Sequence, residues 1–157
     1  MKRKKMKFQL YILTIISVFL TSYISGQTNV AKKDESANSI LKIEMSLSAF
    51  GVESDGFPSI DVFIDFEKDS TNCVKTFYNP AYKGSTYTLT KSEMESIIEL
   101  LKNSDLEKLK KNYTVNITDQ PSSKTVIQTN KAKYTINDYG LKGDHPLQEL
   151  YKIIYKY

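Results

Sequence analysis

The 157-residue sequence holds one cysteine, one histidine and no tryptophan, together with four prolines and six glycines. With Cys73 alone, no intramolecular disulfide can form, and stability must come from a packed core. One histidine and one cysteine also cannot fill a closed structural zinc site without two well-placed carboxylates. Arginine is equally scarce. Arg3 is the only one, and it belongs to an N-terminal cluster with Lys2, Lys4, Lys5 and Lys7, while no acid occurs before Asp34. The formal charge of +4 is therefore local: setting residues 1–26 aside takes 5 of the 22 basic residues and leaves 17 against 18 acids. A nearly neutral remainder without arginine argues against nucleic acid as a partner, because duplex binding is dominated by phosphate neutralisation and base reading leans on arginine. The 25% charged, 40% hydrophobic composition is that of an ordinary globular chain, and the length fits one domain with a modest core. Collagen-like, disulfide-dense and multi-pass membrane classes are excluded.

What is present at the N-terminus reads as an export signal. A basic segment precedes the apolar run over residues 8–23, which is shorter than the ~20 apolar residues of a spanning helix and is broken by Gln9, Thr14, Ser17, Thr21 and Ser22. Ser25 and Gly26 point to cleavage after Gly26. A signal peptide over 1–26 is expected, with an uncleaved anchor as the alternative; both place the remainder outside the cytoplasm, in the periplasm, at the cell surface or secreted. The membrane is then a partner only through an uncleaved signal segment. Residues 27–39 show no period and few apolar side chains, as expected of a flexible tether.

From residue 40 the pattern changes to a strict alternation: Leu41, Ile43, Met45, Leu47 and Ala49 against Lys42, Glu44, Ser46 and Ser48, a half-buried strand. Asp55-Gly56 marks a turn into a second strand over 59–66, with Ile60, Val62, Ile64 and Phe66 on one face and Asp61, Phe63 and Asp65 on the other. A third strand is predicted over 74–78 and a fourth over 86–89. Thr90 and Glu93 form a capping box, followed by Met94, Ile97, Ile98 and Leu101 at helical spacing. Ser104 and Glu107 predict a second box and a short helix carrying Leu106, Leu109 and Tyr113. A hairpin over 123–129 and 132–137 turns at Asn130-Lys131, and Pro146 opens a last helix lined by Leu147, Leu150, Tyr151, Ile154 and Tyr157. The order ββββα(α)ββα predicts an α+β domain over 40–157: a two-layer antiparallel sheet of hairpins packed against helices.

Phe50-Gly51, Pro58, Gly84 with Tyr87, the helix over 90–101, Tyr113, Thr118-Asp119-Gln120-Pro121, Tyr139-Gly140 and the helix over 146–154 follow one another in a characteristic sequence. In these features the chain resembles a domain-of-unknown-function family of small exported bacterial proteins, marked by Cys-Phe-Gly-x-Cys-Pro between its first two strands. Ala49 and Phe57 stand where that motif has its cysteines, with residues 52–56 inserted between them. The resemblance implies fold and export. It implies no cysteine-based redox or metal role, and no activity.

Candidate sites are few. Six acids fall between Glu53 and Asp69, and of these Asp61, Asp65, Glu67 and Asp69 are candidates for a partner surface. Asp61 and Asp65 share a strand face but lie roughly 13 Å apart, too far to share one ion. Asp65 and Glu67, about 6.6 Å apart if the strand continues, match the carboxylate pair of a glycosidase. His145 is the only residue able to serve as base in a Ser- or Cys-based triad, but no nucleophile elbow is present; a surface or helix-entrance role is expected of it, and an inert, partly buried or turn-edge role of Cys73. Tyr78, Tyr82 and Tyr139 adjoin turns and are candidates for exposed contact. No cofactor, metal or catalytic residue is assigned. The sequence points first to an exported non-enzymatic module that binds a protein or envelope component, such as an inhibitor or immunity-type protein, and second to an envelope-polymer hydrolase using Asp65 and Glu67.

Overall fold

A computed structural model of the chain describes residues 38–52 and 54–156. The predicted signal segment, its cleavage point and most of the tether lie outside the described residues, as do Glu53 and Tyr157. The alternation that begins at residue 40 becomes β1 (Ile40–Ser48), the middle strand of a seven-stranded sheet. It pairs antiparallel with β2 (Ser59–Asp65) on one side and β6 (Ser122–Thr129) on the other. β3 (Ser70–Thr76) and β4 (Ser85–Tyr87) extend the β2 side, while β7 (Lys133–Tyr139) and the two-residue β5 (Asn112–Tyr113) extend the other, in the order β4-β3-β2-β1-β6-β7-β5. The β5–β7 pair is parallel, so the sheet is mixed, and the architecture is α+β.

Register sorts the side chains into two faces. Tyr87, Cys73, Val62, Met45, Thr125 and Ile136 stand in one row across six strands, and Ile64, Ile43 and Ile127 in the next. Val62, Met45, Ile136 and the three isoleucines of the second row are buried, each contributing about 1.5–3 kcal/mol by leaving water. Helix α1 (Lys91–Lys102) adds Met94, Ile97 and Leu101 to this core, and helix α2 (Leu147–Ile154) adds Leu147, Leu150, Tyr151 and Ile154. Both follow the predicted 3.6-residue period. The predicted capping box starts α1: Thr90 Oγ1 accepts from Glu93 N at 3.3 Å, and Glu93 Oε2 accepts from Thr90 N at 2.7 Å.

Several boundaries differ from expectation. β2 ends at Asp65, and residues 66–69 form a tight turn that Asp69 closes at φ 50°, so β3 starts at Ser70 rather than residue 74. Glu67 therefore lies in the turn and does not continue the face of Asp65. The second capping box is absent. Ser104 Oγ is taken by the end of α1, donating to Leu100 O at 2.7 Å, and Leu106–Lys108 form a single 3₁₀ turn with no side-chain cap. Pro146 sits at the N-cap of α2, one place before the first turn. Cys73 is not at a turn edge but fully buried in mid-strand, where burial raises its thiol pKa.

Candidate functional site

Both helices bury their apolar stripes together with the inward row, which leaves alternate residues of the same strands on an outer face that none of the described residues covers. There Ser46 is flanked by Asp61 and Lys124, and Glu44 by Phe63 and Val126. Phe63 is 40% exposed, Val126 is half-buried, and the others are exposed. These six side chains, with Asn72 and Val74, line a shallow depression of about 360 Å³.

The four predicted surface acids do not form one patch. Asp61 lines the depression. Asp65, also on the outer face, is 1% exposed because it is consumed by its own hairpin. Its Oδ1 accepts from Glu67 N at 3.1 Å and Lys68 N at 3.2 Å, and its Oδ2 pairs with Lys42 at 3.4 Å and Lys68 at 3.8 Å. Burial alone would raise its pKa, but the Lys68 N–H, the Lys42 ammonium and the Glu67 N–H outweigh it and hold the carboxyl below its ordinary value. A general acid needs the opposite shift. Glu67 and Asp69 are exposed at the far side of that turn, and neither Asp65 nor Glu67 lines the depression.

Past Ser46, Asp61 and Val74 the same alternation leads to Ser48, Ser59 and Thr76, which belong to a second depression of about 500 Å³. Two loops bound it, the described residues of 49–58 and residues 77–84; Phe50, Phe57, Phe77 and Tyr78 line it, and Tyr82 lies further along the second loop. The loops are tied together where Asn79 Nδ2 donates to Asp55 Oδ2 at 3.2 Å. Within the second loop Phe77 and Tyr82 pack with ring centroids 5.4 Å apart, and Ala81 N donates to Asn79 Oδ1 at 2.9 Å. Gly84 lets this loop return close to β3, since a Cβ there would meet Lys75 O at 2.8 Å. Phe57 packs against the core, but Phe50 is 94% and Tyr78 96% exposed. Tyr82, at 47%, is also exposed, as expected from its turn position. Tyr139 is not: it is half-buried and its hydroxyl accepts from Gln120 N at 3.2 Å. Phe50 escaped sequence reasoning as a contact residue; its signal was a large aromatic next to Gly51 at the start of a turn-rich loop.

Two polar clusters on the helical side have structural roles. Asp138, 1% exposed, accepts from Lys142 N at 2.9 Å, Gly143 N at 2.7 Å and Tyr151 Oη at 3.0 Å, pinning the loop before α2. Glu93 joins the cap of α1 to the C-terminal segment through Lys156 at 2.6 Å, and Lys156 followed by the Thr90 N–H lowers its pKa. Lys156 also lies over the Tyr87 ring, whose hydroxyl donates to Ile154 O at 2.7 Å and is pushed up to about 12, chiefly by burial.

His145 stands between Ser104, whose Oγ is 3.3 Å from Nε2, and Glu149, whose Oε2 is 3.2 Å from Nδ1. The order Ser–His–acid is that of a triad, but the hydrogen-bond direction is not. The Ser104 proton is given to Leu100 O, so Oγ meets the ring as an acceptor. His145 and Glu149 are also 61% and 43% exposed, leaving the group open to water. The arrangement bridges the C-terminal end of α1, which favours a cation, and the first turn of α2, which favours an acid. Among the described residues no three His, Cys, Asp or Glu side chains gather as a metal site, and no helix is long and apolar enough to cross a membrane.

No curated protein and no solved structure matches the chain. A family profile does: residues 58–157 match a domain of unknown function, DUF6438. The match begins just before β2, so the central strand β1 lies N-terminal to it. With some two-thirds of its length matched, including six of the seven strands and both helices, the chain belongs to the DUF6438 family.

Proposed function

We propose that this chain is an exported, non-enzymatic binding module that acts on a protein or other envelope component through the paired loops over 49–58 and 77–84. The observation that carries the reading is the near-complete exposure of Phe50 and Tyr78 on two loops locked around a depression of about 500 Å³. Large aromatic rings held in water on a hydrogen-bonded framework are costly in isolation and are typical of a contact surface, where they supply area with little ordering entropy. Export rests on the basic cluster and apolar run of the first 26 residues. In its sharper form the module is an inhibitor or immunity-type protein that forms a one-to-one complex through those loops. Asp65 takes no part in that contact, being committed to its turn.

The test is capture from the native envelope with the wild-type protein, with the double variant Phe50→Ser/Tyr78→Ser, and with Lys102→Ser on the helical side as control. The loop variant is expected to lose the bound species that the wild type and the control both retain, at unchanged thermal stability. An identical bound set on the loop variant would overturn the assignment of the loops. Cell fractionation reads export separately, through a shortened product outside the cytoplasm.

A further inference from the structure

We infer that the uncovered outer face pairs two copies of this chain face to face, about a two-fold axis running along β1. Ser46 of β1 pairs with Asp61 on one side and Lys124 on the other, and Glu44 pairs with Phe63 and Val126. The face is thus antisymmetric about β1, with an acid and a ring on the β2 side answered by a base and a branched aliphatic on the β6 side. Within one chain the two charges stand on either side of β1, two strand spacings or about 9.6 Å apart at the backbone, and do not pair. Among the described residues no ion pair engages Glu44, Asp61 or Lys124.

A half-turn about an axis lying in the contact plane along β1 carries β2 of one copy over β6 of the other without sliding along the strand. Asp61 then faces Lys124 twice, and Phe63 faces Val126 twice, the self-complementarity that an isologous contact requires. Aligned sheets pack about 10 Å apart and rotated by about 30°; one strand spacing from the axis, that rotation displaces facing residues by only about 2.5 Å. Five strands by six residues offer roughly 400 Å² of plane per copy, which places the contact at the weak end of specific interfaces. Glu44 lies on the axis and faces its own copy, a like-charge opposition that weakens the pair further. Because the axis follows the strands, both copies direct their aromatic loops to the same end. On the reading given under Proposed function, pairing therefore makes the module bivalent.

Sedimentation velocity across roughly 5–500 µM, on the protein recovered from expression of the full chain, tests this. The wild type is expected to pass from monomer to dimer over that range. Glu44→Gln should tighten the dimer by about tenfold, read as a shift between the same monomer and dimer boundaries, whereas misfolding would give larger species. Asp61→Lys and Lys124→Glu should each weaken it by about tenfold or more, while an equimolar mixture of the two should associate at least as well as wild type, since every mixed contact again sets a lysine against an acid. A chain that stays monomeric throughout, single variants that leave association unchanged, or a mixture no better than its components would each overturn the inference. Loop capture by a monomeric chain would leave the proposed function standing and this inference refuted.

Discussion

Ile43 and Glu44 are neighbours in the same strand, yet they live in different solvents. Ile43 faces Ile64 and Ile127 under the helices and is fully buried, whereas Glu44 faces Phe63 and Val126 on a surface that none of the described residues covers. A central strand with helices on both sides would read as a continuous apolar run, but β1 alternates, and the alternation states that one face stays wet. Core packing and exposure to water are thus separated by a single residue step along each strand. Ile43→Ala should cost about 2–5 kcal/mol in urea unfolding, because a buried side chain leaves a cavity under packed helices. Phe63→Ala, which deletes a larger ring, should change stability by under ~1 kcal/mol and instead weaken self-association. If both substitutions cost the same, the outer face is not a free surface and the contrast collapses.

The outer face is not uniform, and its two aspartates sharpen the comparison. Asp61 is exposed in the depression, while Asp65, four residues on, holds the β2–β3 turn together. A carboxyl whose folded pKa lies below its ordinary 3.8 contributes stability that is present above that value and is lost as pH falls through the folded value. Asp65→Asn should therefore lower stability at neutral pH and flatten the acid limb of a pH–stability profile, whereas Asp61→Asn, on an exposed carboxylate, should change stability at neutral pH by under ~0.5 kcal/mol. Equal profiles for the two variants would mean that the turn does not depend on the Asp65 charge.

This contrast also marks what the sequence could tell. Period and capping chemistry are local, so β1, β2, the β6–β7 hairpin, α1 with its Thr90–Glu93 box, and α2 were legible, as was the outward face of Asp61 and Phe63. Partnership is not local. Whether Ser104 caps a new helix or ends the old one depended on a competition for one hydroxyl, and the two-residue β5 exists only because β7 runs beside it. The acidic run looked like one surface because sequence spacing hides that Asp65 turns back onto Glu67 N and Lys68 N. The joining of two loops through Asp55 and Asn79, 24 residues apart, had no sequence signal at all, and with it the exposure of Phe50 beside Tyr78 was hidden.

The smallest expected effect is the sharpest probe of the inner face. Thr125 lies in the row between Met45 and Ile136, 0% exposed, and its Oγ1 is buried without a hydrogen bond. A hydroxyl there has exchanged water for no more than the nearby Tyr151 hydroxyl, outside hydrogen-bond geometry, at a cost of roughly 1 kcal/mol or more. Valine keeps the shape and removes the debt, so Thr125→Val should raise stability by about 1 kcal/mol, read as a higher urea midpoint at unchanged slope. Ser46→Val, on the outer face of neighbouring β1, should stay within about ±0.5 kcal/mol, because its hydroxyl is already exposed. A loss on Thr125→Val would have a specific meaning. It would place the hydroxyl in the network through which Tyr151 reaches Asp138, and the inner face would then owe part of its order to polar bonds rather than to apolar packing alone.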